Sequence, residues 1–366
     1  MLYRDSYIKI NIDNFKHNLD YLKKISNKKL IAVVKANAYG CGDYEIAKIL
    51  EEFGINFLAV SSLDEALSLR HQGIKSKILI LSYVNPEFLD VLIENNLTMT
   101  LSSIDLAQEL AKKNLKDLKI QIKVDTGMNR IGLRSLEEVQ DALKLLSNNV
   151  EGIFTHYALS DDQNSNMTYK QYKKFESIIK KVNYSFKYIH TCNTDATINF
   201  DDKISNHVRC GLGMFGLSSY DTPLKPVVSL YSKVINCKLV EKGSSIGYGA
   251  TYQTKEAEWI ITIPIGYADG WIRSNQGRKA YINNESSATF VGRICMDQSM
   301  LKVDHQLKIG TEVELFGSHI SINEVASELN TISYEILTIL SDRLTKVYYY
   351  NDHQIRSFTP RFEKSF

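Results

Sequence analysis

Short apolar runs alternate with stretches of helical spacing through the first two thirds of the chain. A run that is apolar throughout, rather than at every second position, is typical of a parallel strand covered on both faces. Eight strand-like runs occur, at residues 30–35, 57–60, 77–82, 97–102, 118–125, 150–156, 187–192 and 207–211. The segments between them carry helix signals, such as the capping-box pair Ser62 and Glu65. Eight strands separated by helices predict an α/β fold of the (β/α)8 TIM-barrel type; an open doubly wound sheet shares the alternation.

The pattern changes after residue 225, where helical spacing gives way to strand-like runs separated by Gly, Asn and Asp. These runs lie at 227–240, 258–270, 279–284, 287–296, 298–303 and 311–317. One helical patch, 321–344, precedes a last strand at 346–350. The sequence therefore predicts two domains, a barrel over 1–225 and a C-terminal mainly-β domain over 226–366.

Composition and charge narrow the class of function. The 366 residues are 44% hydrophobic and 23% charged, and the net charge of +2 argues against nucleic acid or a charged membrane surface as the partner. The N-terminus shows no signal peptide, and no apolar run reaches the roughly 18 residues of a membrane span. The five cysteines are scattered without a C-x-x-C pair, so neither a disulfide framework nor a zinc site is expected. A cytoplasmic protein that acts on a small molecule is the expectation.

The C-terminal ends of barrel strands converge on one mouth, where active sites of this fold are built. The chemically capable residues at or just beyond the predicted strand ends are Lys35, Arg130, His156, Asn193, Thr194, Arg209 and Gly211. The set has no paired carboxylates and no metal-binding cluster, so glycosidase or metal chemistry is not expected.

Lys35 ends the apolar run of "IAVVKANAYGCG" (31–42) and is followed by small residues. Most lysines at such a rim extend their ammonium group to water. A partly buried amine has instead a lowered pKa and can form a Schiff base. The flanking apolar and small residues favour the second interpretation, but position alone leaves both open.

Six blocks resemble the motifs of bacterial alanine racemases, in the same order along nearly the whole chain. They are "AVVKANAYGCG" (32–42), "KVDTGMNRIG" (123–132), "HVRCGLGMFGL" (207–217), "GYGATY" (247–252), "IPIGYADGW" (263–271) and "VGRICMDQ" (291–298). The resemblance implies a pyridoxal 5'-phosphate (PLP) enzyme that interconverts L- and D-alanine and supplies D-alanine for peptidoglycan.

The resemblance also implies roles for individual residues. Lys35 would carry PLP and transfer a proton on one face of the substrate, and Tyr248 would do so on the other. A hydrogen-bonded chain through His156 and Arg209 would bring positive charge towards the tyrosine, whose ordinary pKa is about 10. Arg209 would face the pyridine nitrogen, where it would leave the ring a weaker electron sink and suppress side reactions.

Further roles follow from the same motifs. The cofactor would be bound by Tyr39, Asn193, Thr194, Gly211 and Leu212, and the substrate by Arg130, Met296 and Tyr267. Lys123 matches a position that is sometimes carbamylated; an ordinary pairing with an acid is the alternative. Family active sites lie in head-to-tail homodimers, so the partner subunit would supply the tyrosine base, Met296 and Tyr267.

The chain departs from the family pattern at three places. Thr194 stands where Ser is common, and Cys210 stands where Pro or Ala is usual. Asp342 falls where a Tyr or Asn often lies near the phosphate. A carboxylate there is unfavourable unless a cation or a rotation separates it from the phosphate. We therefore expect Asp342 to point away or to alter substrate preference, towards serine for example.

Other functions compete with this interpretation. A serine or broad-specificity racemase has the same motifs, whereas a non-catalytic PLP-binding barrel or a related decarboxylase would lack the "GYGATY" block. The segment "GLGMFG" (211–216) fits the G-x-G-x-x-G pattern of dinucleotide binding. That pattern also requires an acidic residue about 20 positions on, which is missing here.

Overall fold

The computed structural model describes residues 4–283 and 286–359, and the chain opens with a short strand, β1 (Tyr7–Asn11), followed by the helix Ile12–Ser26. Eight parallel strands then close into a barrel. They are β2 (Lys29–Val33), β3 (Phe57–Val60), β4 (Lys77–Ile80), β5 (Leu97–Leu101), β6 (Lys119–Lys123), β7 (Val150–Phe154), β8 (Tyr188–His190) and β9 (His207–Cys210). The fold class predicted from the eight apolar runs is confirmed.

Helices cover the barrel between successive strands, as the spacing of apolar residues predicts. Their bounds are Asp43–Glu52, Leu63–His71, Leu89–Glu94, Ile104–Leu110, Leu136–Leu146, Met167–Lys181 and Thr194–Asn199. The capping box at the start of Leu63–His71 is formed by Ser62 and Glu65. None of the helices in residues 4–283 and 286–359 is long and apolar enough to cross a membrane.

The second unit is built on a ten-stranded sheet in the order β11-β14-β17-β16-β15-β18-β10-β1-β19-β20. The strands after the barrel are β10 (Val228–Lys233), β11 (Asn236–Val240), β12 (Ser245–Ile246), β13 (Tyr252–Gln253), β14 (Glu258–Ile263), β15 (Lys279–Ile282), β16 (Ser286–Phe290), β17 (Ser299–Val303), β18 (Glu312–Phe316), β19 (Thr345–Tyr350) and β20 (His353–Phe358). β12 and β13 form a separate two-stranded sheet. The predicted helical patch at 321–344 forms two helices, Ile322–Glu328 and Ser333–Thr338. The last residue of the run at 279–284 lies outside the described residues.

The division of the chain differs from the predicted boundary at its N-terminal end. The β unit comprises the described parts of Met1–Phe15, Tyr39–Gly42 and Lys225–Phe366, and the barrel unit comprises Lys16–Ala38 and Asp43–Leu224. The reason is that β1 lies inside the large sheet, antiparallel to β10 and parallel to β19. The short segment Tyr39–Gly42 belongs to the same unit, in which the Tyr348 hydroxyl donates to the Cys41 carbonyl oxygen (2.6 Å).

Candidate active site

Lys35 follows β2 and begins a single turn, Lys35–Tyr39, whose backbone is left-handed. The φ angles of Ala36, Asn37 and Ala38 are 53°, 55° and 49°. L-residues adopt this conformation at a cost of roughly 1–2 kcal/mol each, and such strain is concentrated at functional sites. The turn therefore needs support from the structure around it.

Glu65 provides part of that support within the barrel unit. Its Oε1 accepts the Ala36 N–H (2.7 Å) and its Oε2 accepts the Ser61 N–H (2.6 Å). The carboxylate thus ties the turn after β2 to the start of the helix Leu63–His71. Burial lowers the pKa of Lys35, the Arg130 guanidinium lowers it further, and Glu65 opposes the shift. Lys35 therefore has a larger neutral fraction than a rim lysine in water, as Schiff-base chemistry requires.

Arg209 lies at the end of β9 and is buried at the centre of a hydrogen-bond network. Its Nη1–H donates to Nδ1 of His190 (2.6 Å). Its Nη2–H donates to Nδ1 of His156 (3.0 Å) and to the carbonyl oxygens of Thr155 and Thr191 (both 2.7 Å). The Nε–H makes no hydrogen bond with any other described residue. This donor is therefore free to face an acceptor such as a ring nitrogen.

Both histidines beside Arg209 are neutral. An arginine can only donate hydrogen bonds, so each Nδ1 that it contacts is unprotonated. Desolvation, followed by the positive charge of Arg209, holds the pKa of His156 and of His190 well below the usual value. Burial lowers the pKa of Arg209 to about 10, so the guanidinium stays charged near neutrality.

Lys123 ends β6 inside the same mouth and is only 4% exposed. Its Nζ donates to the Val124 carbonyl oxygen (2.9 Å). Burial, followed by the charge of Arg209, lowers its pKa to about 7. Asp125 acts on this amine electrostatically, but its carboxylate accepts two backbone N–H groups of the following turn and forms no ion pair with the amine. This geometry does not favour the pairing with an acid that was the alternative to carbamylation.

Arg130 projects from the turn after β6, and the residue is exposed. The turn closes because the Asp125 N–H donates to the Leu133 carbonyl oxygen and the Leu133 N–H donates to that of Lys123 (both 2.8 Å). Gly132 is required in it, since its φ is 126° and a Cβ would lie 2.7 Å from the Asp125 nitrogen. The turn presents Arg130 on the side of the barrel mouth that carries Lys35.

The segment after β9 presents donors suited to an anion. Gly211 and Leu212 are buried, and their N–H groups make no hydrogen bond within residues 4–283 and 286–359. The Gly213 N–H donates to Thr194 Oγ1 (3.1 Å), which leaves the hydroxyl proton of Thr194 for another acceptor. A Cβ on Gly213 would lie 2.6 Å from Cγ2 of Thr194, so only glycine fits there. Buried N–H groups without acceptors are the kind of site that holds a phosphate.

Asn193 caps a helix in the barrel unit. Its Oδ1 caps the helix Thr194–Asn199 by accepting the Ala196 N–H (3.0 Å), and it also accepts the Ser160 hydroxyl (2.8 Å). Its cofactor role stays a prediction.

The segment "GLGMFG" forms only the short 3-10 helix Leu212–Phe215, without the long helix that opens at a dinucleotide fingerprint.

Three predicted site residues lie on the β unit and are exposed: Tyr248 (72%), Met296 (53%) and Tyr267 (41%). Tyr267 and Met296 are neighbours because two backbone hydrogen bonds join their segments. The Tyr267 N–H donates to the Cys295 carbonyl oxygen, and the Ala268 N–H donates to the Met296 carbonyl oxygen (both 3.0 Å). The block "GYGATY" packs on "VGRICMDQ", since a Cβ on Gly292 would lie 2.6 Å from the Ile246 carbonyl oxygen. Three separate sequence blocks are therefore neighbours in this unit.

Asp342 also belongs to the β unit. Its Oδ1 lies 3.6 Å from Nζ of Lys346, whose side chain is fully buried. The structure thus supplies a cationic neighbour, which is one condition under which a carboxylate is tolerated near a phosphate. Tyr39 is in the same unit, buried, with its ring 6.1 Å from that of Tyr334.

The predicted residues therefore fall into two sets. The barrel unit brings together Lys35, Lys123, Arg130, His156, Asn193, Thr194, Arg209, Gly211 and Leu212. The β unit carries Tyr39, Tyr248, Tyr267, Met296 and Asp342. Sequence reasoning missed Glu65, Gln121 and His190. His190 lies inside the predicted strand 187–192, but in the structure β8 ends at His190. No group of three or more potential metal ligands lies among the described residues.

Comparison with known proteins agrees with this arrangement. The family model for the alanine racemase N-terminal domain matches residues 10–219, and that for the C-terminal domain matches residues 227–348. Alanine racemase 1 of Bacillus subtilis is 38% identical over 367 residues, which cover 95% of this chain and 94% of that protein.

Solved structures show the same likeness. Alanine racemase from Bacillus anthracis with bound L-Ala-P has a TM-score of 0.93 at 36% identity, covering 99% of this chain and all of that one. A histidine racemase from Leuconostoc mesenteroides has a TM-score of 0.89 at 29% identity, covering 96% of this chain and 99% of that one. All six sequence blocks lie within the residues that the two family models match, and the chain belongs to the alanine racemase family.

Proposed function

We propose that this protein is a PLP-dependent racemase that interconverts L- and D-alanine. The observation that carries the proposal is the pairing, at one barrel mouth, of an amine with a lowered pKa and a buried guanidinium whose Nε–H has no acceptor among the described residues. Lys35 and Arg209 are the two groups that a PLP racemase of this family requires at opposite ends of the cofactor ring.

The residues present fit PLP. Lys35 would hold it through its amine, the Gly211 and Leu212 N–H groups with the Thr194 hydroxyl would hold its phosphate, and Arg209 would donate to its ring nitrogen. Tyr39 and Asn193 complete the expected set. When bound, PLP withdraws electrons from the α-carbon of the substrate and so makes the α-proton removable.

Two proton-transfer groups are needed to invert the α-carbon. Lys35 serves one face, and we propose that the partner's Tyr248 serves the other in a homodimer. The exposure of Tyr248, Tyr267 and Met296 on the β unit supports this assignment. A tyrosine near pH 7 needs nearby positive charge to act as a base, and the His156–Arg209 hydrogen bond is the chain that would deliver it. Arg130 would bind the substrate carboxylate.

The experiment that tests the proposal follows alanine directly. The purified protein is incubated with PLP and L-alanine in D₂O, and proton NMR and chiral chromatography are applied to the same sample. Loss of the α-proton signal together with D-alanine formation is the expected result. Exchange without D-alanine would contradict the two-base assignment, and no exchange at all would contradict the proposed function.

Lys123 is expected to be carbamylated. Its amine has a pKa of about 7, so the neutral form that reacts with CO₂ increases as the pH rises through neutrality. Incubation with ¹³C-bicarbonate is expected to give one new carbonyl signal in ¹³C NMR, stronger at pH 8 than at about pH 6. The signal should vanish in Lys123→Ala and persist in Lys119→Ala, which changes the other end of the same strand. An identical signal in both variants would place the label elsewhere.

Asp342 is expected to influence the cofactor or the choice of substrate. In Asp342→Asn the charge of Lys346 is no longer offset by this carboxylate, so PLP phosphate should bind roughly three- to tenfold more tightly. Fluorescence titration with PLP and the alanine-to-serine ratio of kcat/KM measure the effect. Asp352→Asn, in the turn between β19 and β20, is the control. If neither quantity changes in Asp342→Asn, the assignment is wrong.

The substrate is the point at which related proteins differ. The structural likeness extends to a histidine racemase, so serine and broader specificity are tested in the same assay as alanine. D-Alanine supply for peptidoglycan and a cytoplasmic location follow from the role of the family and stay predictions for this chain.

A further inference from the structure

We propose that Gln121 and His190 are positioning residues that lock the Arg209 guanidinium in one orientation. They form a buried pair behind Arg209, on the strands β6 and β8, and neither contacts the groups that would bind substrate. The effect on catalysis rests on the proposed function, whereas the pairing itself is a property of the barrel.

The geometry of the pair is specific. His190 Nδ1 lies 2.6 Å from Nη1 of Arg209, and His190 Nε2 lies 2.7 Å from Oε1 of Gln121. The imidazole stacks on Phe154 with ring centroids 4.8 Å apart and planes 14° apart. The Phe154 ring also faces the Arg209 guanidinium, with its centroid 5.3 Å from Cζ of Arg209. Both His190 and Gln121 are fully buried.

These contacts define one tautomer. Arg209 donates to Nδ1, so the single proton of the neutral imidazole is on Nε2. That proton needs an acceptor, and Oε1 of Gln121 is placed to accept it. If the amide were reversed, its Nε2–H₂ group would face the Nε2–H of His190, donor against donor. Gln121 therefore selects the tautomer that can accept from Arg209.

Packing alone does not explain Gln121. Its Nε2 is buried and has no hydrogen-bond partner in the part of the chain that the structure describes. An unused buried donor costs about 1–3 kcal/mol. The neighbouring strand makes room for the side chain with Gly152, where a Cβ would lie 3.0 Å from Cδ of Gln121. An apolar side chain of the same length would avoid this cost. What the amide provides is the acceptor for His190.

The consequence is a fixed arginine. With Nη1 committed to His190 and Nη2 to His156 and two carbonyl oxygens, the guanidinium cannot rotate without breaking buried hydrogen bonds. The Nε–H is then held in one direction, the direction in which the proposed function needs a donor to the ring nitrogen. Loosening Arg209 should therefore impair proton transfer more than substrate binding.

The test uses the full chain and two variants of Gln121. Gln121→Met keeps the length but removes the acceptor, and Gln121→Glu restores an oxygen at that place. Thr100→Val is the matched control, because Thr100 is the register partner of Gln121 on β5 and its hydroxyl makes one buried hydrogen bond, to the Ile80 carbonyl oxygen. Histidine ¹⁵N NMR of the PLP-free and PLP-loaded chain reports the tautomer, and His190→Asn identifies the signal of His190.

We expect His190 to be the neutral Nε2–H tautomer in the wild type and in Thr100→Val. Gln121→Met should give a mixture of the two tautomers. It should lower kcat for alanine about tenfold, with KM within about twofold of the wild-type value. A tenfold decrease in kcat corresponds to the loss of roughly one hydrogen bond in the transition state. Gln121→Glu should recover the Nε2–H signal and part of kcat.

Two outcomes would overturn the proposal. One is that His190 of the wild type is the Nδ1–H tautomer. The other is that Gln121→Met has the same His190 tautomer and the same kcat as the control variant Thr100→Val. If even the wild type does not racemise alanine, the proposed function fails, but the tautomer in the PLP-free chain still decides the role of Gln121.

Discussion

Replacement of Lys35 by alanine is expected to abolish racemisation, with a loss of more than about a thousandfold in kcat. The variant would lack both the amine that holds PLP and the proton-transfer group on one face. The turn that follows Lys35 is strained but is held by Glu65, so the alanine side chain should not unfold it. Chiral chromatography measures the rate, and visible absorbance before and after borohydride treatment measures the covalently held cofactor.

Lys29→Ala is the matched control for this experiment. Lys29 begins the same strand, is exposed, and lies outside the network around Arg209. Its variant should keep wild-type racemisation and borohydride-trapped PLP. A Lys35→Ala protein that still traps PLP would show that another amine, of which Lys123 is the first candidate, holds the cofactor.

Barrel strands such as β2, β3 and β4 could be predicted because burial on both faces makes them apolar runs. β1 could not, since its five residues, Tyr7–Asn11, alternate around a lysine and carry no sign of their partners. Those partners lie more than 200 residues away, at Val228–Lys233 and Thr345–Tyr350. Long-range pairing of this kind places the N-terminal segment in the β unit, and no local pattern encodes it.

The site shows the same limit. Lys35, His156 and Arg209 were found because they lie at the ends of predicted strands, whereas Gln121 lies in the middle of β6 and resembles an ordinary core polar residue. The left-handed turn after Lys35 was equally hidden, since alanine and tyrosine do not signal positive φ as glycine does. Its support comes from Glu65, which the sequence shows only as a helix cap. Contacts between elements, rather than residue type, define these parts of the site.

Replacement of Tyr248 by phenylalanine is expected to separate the two faces of the reaction. The phenolic oxygen is the proposed base on one face, so the variant should lose racemisation by about 10²–10⁴-fold. Lys35 is unchanged and should still exchange the α-proton of the enantiomer that it faces. Incubating L- and D-alanine separately in D₂O should therefore show exchange persisting in one enantiomer and nearly lost in the other.

Tyr252→Phe is the control, because Tyr252 lies four residues on and its hydroxyl donates to Glu258 (2.6 Å) rather than to a predicted substrate group. Its variant should racemise alanine like the wild type. Equal slowing of exchange in both enantiomers of Tyr248→Phe would place the tyrosine in cofactor or substrate binding instead of proton transfer. Tyr248 is 72% exposed on its own chain, and in the proposed homodimer a second subunit covers it. Sedimentation of the same sample should then show a dimer at the concentrations where activity is seen.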